Sequence, residues 1–157
     1  MINVRVYGVL INEKKQVLVS DELIRGMKIT KFCGGGLEFG EGTIDCVIRE
    51  FREEMNVSVK VKQHLYTTDF FQESAFNKEH QILSIYYEVE ADSLTHIEFS
   101  TNPFEFSEVS LEKYKNTQQA ESFRFIDIDQ YSESCMTLPI DKIVAKLIIE
   151  KEKNYQP

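Results

Sequence analysis

CGGGLEFGEGTIDCVIREFREEMNV, residues Cys33 to Val57, runs three glycines into a segment crowded with acid. From Thr43 to Met55 the apolar residues Ile44, Val47, Ile48, Phe51 and Met55 recur at helical spacing and predict an amphipathic helix. Glu50, Glu53 and Glu54 project from roughly the other side, where i, i+3 and i+4 spacing makes them neighbours. Like charges so placed cost about a few tenths of a kcal/mol per pair. A solvated helix face tolerates that cost, and for a lone run of this kind it is the plain explanation. Here six carboxylates between Gly35 and Val57 face only Arg49 and Arg52, and carry about half of the net charge of −8. Something positive between them would reverse the repulsion.

Outward from this stretch the chain alternates short strands with helices. Before it, VRVYGVLIN and QVLVS are β-branched runs separated by EKK, which predicts a hairpin. KITKFCGGGLEF reads as a strand broken by its glycines. After it, VSVKVKQHLYTTDFF, HQILSIYYEVEA and SFRFIDI are strand-like, and PIDKIVAKLIIEK is a C-terminal amphipathic helix with Pro139 near its start. The stretch from Ala91 to Ala120 has no strong periodicity; it is expected to shape a substrate pocket or a dimer contact. There is no repeat, linker or low-complexity tract. The order predicts a single α/β domain over residues 1–157, built around a mixed β-sheet.

Composition narrows the function classes. A chain of 157 residues with 42% hydrophobic content, 7 Tyr and 11 Phe has enough apolar material for one core. The acidic balance leaves no electrostatic footprint for duplex nucleic acid or an anionic membrane surface. No apolar run approaches the ~20 residues of a membrane span, and the N-terminus alternates like a strand rather than forming a signal peptide. Cys33, Cys46 and Cys135 show no CxxC spacing, which favours reduced thiols and a cytoplasmic location.

The acidic face fits hard divalent cations, which prefer carboxylate oxygens and retain water and phosphate ligands. Gly34, Gly35 and Gly36 let backbone groups approach a metal or a phosphate. The spacing of these residues is more telling than their number. Gly35, five residues, Glu41, seven residues, then Arg49-Glu50-Phe51-Arg52-Glu53-Glu54-Met55-Asn56-Val57 resembles the Nudix box, Gly-x5-Glu-x7-Arg-Glu-U-x-Glu-Glu-x-Gly-U with U a bulky apolar residue. Six of its seven fixed polar or glycine positions match. The late ESFRFID strand and the helix after Pro139 resemble the end of the family's domain as well.

The resemblance implies an α/β/α sandwich and a pyrophosphohydrolase that uses Mg²⁺ or Mn²⁺. Its substrate would be a small-molecule nucleoside diphosphate joined to another group, such as a nucleoside triphosphate or a nucleotide sugar. It implies Glu53 and Glu54 as metal ligands, and Glu50 as a ligand or the base that activates water. Arg49 would hold the glutamates by charge-assisted hydrogen bonds. Glu41 would anchor the loop, and a Gly34 or Gly35 carbonyl would join the metal shell. Relatives also use a glutamate outside the box as base, for which Glu108, Glu112 and Glu121 are candidates. Homodimers are common among members. The alternative is a non-catalytic, Nudix-like sensor of a nucleotide or nucleotide sugar. Asn56, in the place of the box glycine, is expected to take a left-handed conformation at the helix end. Phe70, Phe71, Phe76, Phe99, Phe104 and Phe106 include candidates for a base-stacking platform, with core packing the plainer account.

Overall fold

The computed structural model describes residues 1–155. It is a mixed α/β fold whose contacts divide the chain into two compact units, Met1–Leu10 with Cys33–His96, and Ile11–Phe32 with the chain from Ile97 onward.

The first unit carries a four-stranded mixed sheet. Strands β1 (Ile2–Leu10), β4 (Cys33–Gly36), β5 (Val59–Thr67) and β6 (Gln81–Ala91) lie in the order β4-β1-β6-β5. β1 runs parallel to β6 and antiparallel to β4, and β5 pairs antiparallel with β6. The mixed sheet expected from the sequence is therefore present. Helix α1 (Thr43–Met55) lies on it and buries Cys46, Val47, Phe51 and Met55. Gly8 makes this approach possible, because a Cβ there would stand 2.6 Å from Phe51 Cε2 and 3.1 Å from Val47 Cγ2. The buried stripe is narrower than the sequence suggests: Ile44 is 47% exposed in the first turn. Asn56 ends the helix at φ 53° and ψ 41°, with its N–H on the Arg52 carbonyl at 2.9 Å. Val57 N–H reaches back to the Phe51 carbonyl at 3.3 Å, completing a left-handed cap with asparagine in glycine's usual place.

The second unit carries a three-stranded antiparallel sheet in the order β3-β2-β7, formed by β2 (Gln16–Ile24), β3 (Met27–Lys31) and β7 (Gln119–Asp127). Arg25 and Gly26, both at positive φ, form the two-residue turn between β2 and β3, as hairpin twist favours. Asp21 is fully buried on β2 and is satisfied from several sides. It accepts from Arg124 Nε at 2.6 Å, Arg124 Nη2 at 3.2 Å, Thr30 Oγ1 at 2.7 Å and the Phe104 N–H at 3.4 Å. Helix α2 (Glu108–Thr117) packs on β7, and α3 (Pro139–Asn154) buries Ile140, Val144, Ala145 and Ile148.

Two expectations change. β1 and β2 do not form a hairpin: the chain reverses at Asn12–Gln16, but the strands enter different sheets and share only the isolated bridge Ile11–Val17. A tight turn fixes direction, whereas ladder partners are chosen by distant strands. The irregular 91–120 stretch contains α2, which buries no residue and so shows no apolar period. Its visible signals are the Ser107 cap, whose Oγ accepts from Ser110 N–H at 3.1 Å, and a left-handed Gln118. Among the described residues no helix is long and apolar enough to cross a membrane.

Candidate active site

The acidic face of α1 is organised by one arginine. Arg49 takes Glu41 in a two-pronged grip, Nε to Oε2 at 2.9 Å and Nη2 to Oε1 at 2.7 Å. Its Nη1 donates to Glu50 Oε1 and to Glu53 Oε2, each at 3.1 Å, and stands 3.6 Å from Glu38 Oε1. Its Nη2 also donates to the Gly36 carbonyl at 3.0 Å. A planar, permanently charged fork suits this task where a lysine would not. The repulsion that the sequence presents is therefore offset in part by Arg49.

Each partner is placed by local structure. Glu41 accepts the Glu38 N–H at 2.9 Å within a turn that Gly40 closes at φ +93°. The guanidinium of Arg49 holds the Glu41 carboxyl down to about 2, well below its ordinary 4.5, with the Glu38 amide adding to the effect. The same pairing raises Arg49 far above its already high value. Thr43 Oγ1 meets Tyr87 OH at 2.6 Å, pinning the first turn of α1 to β6. Asp45 accepts the Gly42 N–H at 3.2 Å, half of a capping box whose other half a glycine cannot supply. Glu50 is sheltered, its side chain 13% exposed, and Glu53 is open at 59%. Glu54 stands one turn on from Glu50 and is half-buried.

Gly34 and Gly35 lie on β4 opposite Tyr7 and Val6. At Gly35 the absence of a side chain is a steric requirement, since a Cβ would collide with the Glu50 carboxylate. The glycine spacing thus brings backbone directly against a box glutamate, the close approach that a metal or phosphate site needs. Cys46, buried on the same helix, donates to the Gly36 carbonyl at 3.5 Å; burial, aided by Glu41, pushes its thiol up to about 12. It is a protonated packing residue, not a nucleophile.

The candidates outside the box separate. Glu108 and Glu112 are exposed on α2, and Glu112 pairs with Lys115 at 3.0 Å. Glu121 is half-buried on β7, accepts from Ser20 Oγ at 3.1 Å, and sits directly across the ladder from Glu22. Carboxylate oxygens of Glu22 and Glu121 approach within 4.8 Å, and the buried Lys31 pairs with Glu22 at 3.0 Å. Glu22 and Lys31 are absent from the sequence reading. Nothing in the local pattern around them signals a role, because the opposition arises only when β2 pairs with β7. Glu38 and the Gly36 carbonyl were also missed, although both lie inside the glycine-to-Glu41 interval. His64, His80 and His96 are far apart in sequence, and each contacts a protein group: Thr67, Asn3 with Asn77, and the Met55 carbonyl.

The mixed α/β scaffold thus presents carboxylates and a glycine strand to one arginine. Comparison with known proteins agrees: a family model described as the NUDIX domain matches residues 1–131. The chain belongs to the Nudix family, and membership implies hydrolysis of pyrophosphate bonds. No curated protein matches the chain by sequence. Solved structures similar in fold include a NUDIX hydrolase from Nitrosomonas europaea, at 17% identity and TM-score 0.67, covering 100% of this chain and 97% of that one. A MutT NUDIX hydrolase from Burkholderia pseudomallei is 11% identical with TM-score 0.64, covering 94% of this chain and 98% of its own. A UDP-X diphosphatase is 17% identical with TM-score 0.63, covering 99% of this chain and 65% of that chain. At such identities the likeness is one of fold.

Proposed function

We propose that the protein is a Mg²⁺- or Mn²⁺-dependent pyrophosphohydrolase acting on a nucleoside diphosphate joined to a second group. The observation that carries this reading is the convergence of Glu41, Glu50 and Glu53 on Arg49 beside a strand glycine whose Cβ would strike Glu50. The donor set suits such a cation, being carboxylate and carbonyl oxygen, with the Cys46 thiol held protonated. Glu50, Glu53, Glu54 and a Gly34 or Gly35 carbonyl would hold it. When bound, the metal supplies neutralisation of diphosphate charge and a lowered pKa for attacking water.

The chain's own residues have separate tasks. Glu53, the most open carboxylate of the set, meets the incoming substrate side. Glu50 is sheltered and directed by Arg49 Nη1, the placement expected of a group that binds metal or takes the proton from water. Arg49 holds the two carboxylates on one shared nitrogen and ties them to the loop through Glu41. That the fold is shared with a UDP-X diphosphatase and a MutT hydrolase supports a small nucleotide-derived substrate.

A chromatographic screen for nucleotide products from nucleoside triphosphates, nucleotide sugars and dinucleoside polyphosphates with Mg²⁺ or Mn²⁺, run beside Glu53→Gln, tests this. Metal-dependent turnover lost in the variant is the expected result. Absence of turnover on every compound, with nucleotide binding that needs no metal, would sink the hydrolase reading in favour of a sensor.

A further inference from the structure

The turn that leads into α1 presents an aromatic ring to solvent. The Glu41 N–H binds the Glu38 carbonyl at 3.4 Å, and Gly40 takes φ +93° at the third position, the pattern of a type II turn. Phe39 occupies the second position, where proline is common and no ring is required. It is fully exposed and so shields no protein surface. Burial of such a side chain stabilises by about 1.5–3 kcal/mol, which Phe39 forgoes. The turn beneath it is held fixed: the Glu38 N–H donates to Glu41 Oε1 at 2.9 Å, and the Arg49 fork binds both Glu41 oxygens. A ring on a fixed turn is preorganised for a ligand, since little backbone freedom remains for binding to remove.

Phe39 borders the open end of the acidic face. Its neighbour Glu38 places Oε1 3.6 Å from Arg49 Nη1, the nitrogen that also serves Glu50 and Glu53. Exposure rises along this set, from 13% at Glu50 to 59% at Glu53 and 66% at Glu38. The sheltered end is closed by the Gly35 backbone, where a Cβ would strike Glu50. At the open end a substituent on a bound diphosphate has space. Two chemistries compete for it. A second nucleotide half would bring further phosphate charge against Glu38 and Glu53. A sugar brings none: its hydroxyls donate to carboxylates, and its polarised C–H face suits the negative face of an aromatic ring.

We propose that Phe39 is a specificity-determining residue of the enzyme: the second group of the substrate is a sugar, whose C–H face lies on the Phe39 ring while a hydroxyl donates to Glu38. The assignment rests on the hydrolase reading for the diphosphate and names the group joined to it. The contact is made to the departing half of the substrate, so it acts on the choice of substrate and not on the attacking water.

The chain contains no tryptophan, so Phe39→Trp supplies a single emission reporter at an exposed position whose change leaves the core intact. With Mg²⁺ present, this variant is titrated with the α,β-methylene analogues of ADP-, CDP-, GDP- and UDP-glucose, whose bridging carbon resists hydrolysis. The matching analogues of ADP, CDP, GDP and UDP are run beside them. A second arm measures kcat and KM of Phe39→Ala on the nucleotide sugars and nucleoside triphosphates that the wild type cleaves. Expected is a saturable emission change with a sugar analogue that its sugarless counterpart does not give. Phe39→Ala is expected to raise KM for the nucleotide sugar about tenfold, with a smaller loss of kcat/KM on a triphosphate. Emission that no sugar analogue moves, or that the counterparts move equally, overturns the contact even if the wild type hydrolyses nucleotides well. Sugar-dependent emission in a protein that hydrolyses none of the compounds keeps the contact and removes the hydrolase.

Discussion

Arg49 gathers the polar contacts of the acidic face at a single residue. Its fork binds Glu41 at two points while one nitrogen is shared by Glu50 and Glu53. Arg49→Lys keeps the charge but loses the fork, so we expect activity and metal affinity to fall about 10- to 100-fold with folding retained, as activity assays and metal titration will read. A shift that leaves both unchanged would remove Arg49 from the site. The Glu41 pair also has a pH signature. Its carboxyl is held to about 2 in the fold against 4.5 for the free group. A depressed carboxyl contributes stability that is complete above its unfolded value and disappears as pH falls through the folded one. The stability difference between wild type and Glu41→Gln is thus expected to be constant above about pH 5 and to shrink between pH 4.5 and 2, measured by denaturant melts across that range. Gly35→Ala is predicted to impair activity, because its methyl enters the space of the Glu50 carboxylate.

At the scale of elements, α1 was legible almost in full. Its span and most of its buried stripe follow from spacing, because a helix that packs on a sheet must present an apolar stripe, and the left-handed Asn56 follows from residue type at a helix end. Asn56→Ala forces a residue with a Cβ and no compensating polar group into the left-handed region; we expect a loss of about 1 kcal/mol in chemical denaturation, which Asn56→Gly does not show. α2 was illegible for the same physical reason in reverse. It buries nothing, and polar contacts hold it, with Tyr114 OH accepting the Gly26 N–H at 3.0 Å and Ser110 Oγ accepting the Glu121 N–H at 3.1 Å. Ser107→Ala, which removes its cap, is expected to fray this helix at a cost of about 1 kcal/mol, visible as faster amide exchange over residues 108–111.

On the scale of the whole molecule, stability depends on pairings far apart in sequence. Asp21 and Arg124 meet across β2 and β7, and Asp21 is also bound by Thr30 and Phe104. Asp21→Ala leaves a largely buried guanidinium without its partner, and a loss of about 3–5 kcal/mol is expected by urea denaturation. No sequence signal points to that pair, since aspartate and arginine on two distant strands acquire a relation only through register. The opposition of Glu22 and Glu121 is hidden in the same way.

By itself the sequence determined the box: glycine, glutamate and arginine spacing, the α1 helix and its cap residue, and hence the resemblance to the family. These are local relations, fixed by helix and strand periods that any reader can count. Tertiary structure alone decided that β1 and β2 part into different sheets, that β1 runs parallel to β6, and that Glu22 faces Glu121. Those depend on which distant strands pair and in what register. That choice is made by the summed burial of the whole chain, and no local pattern records it.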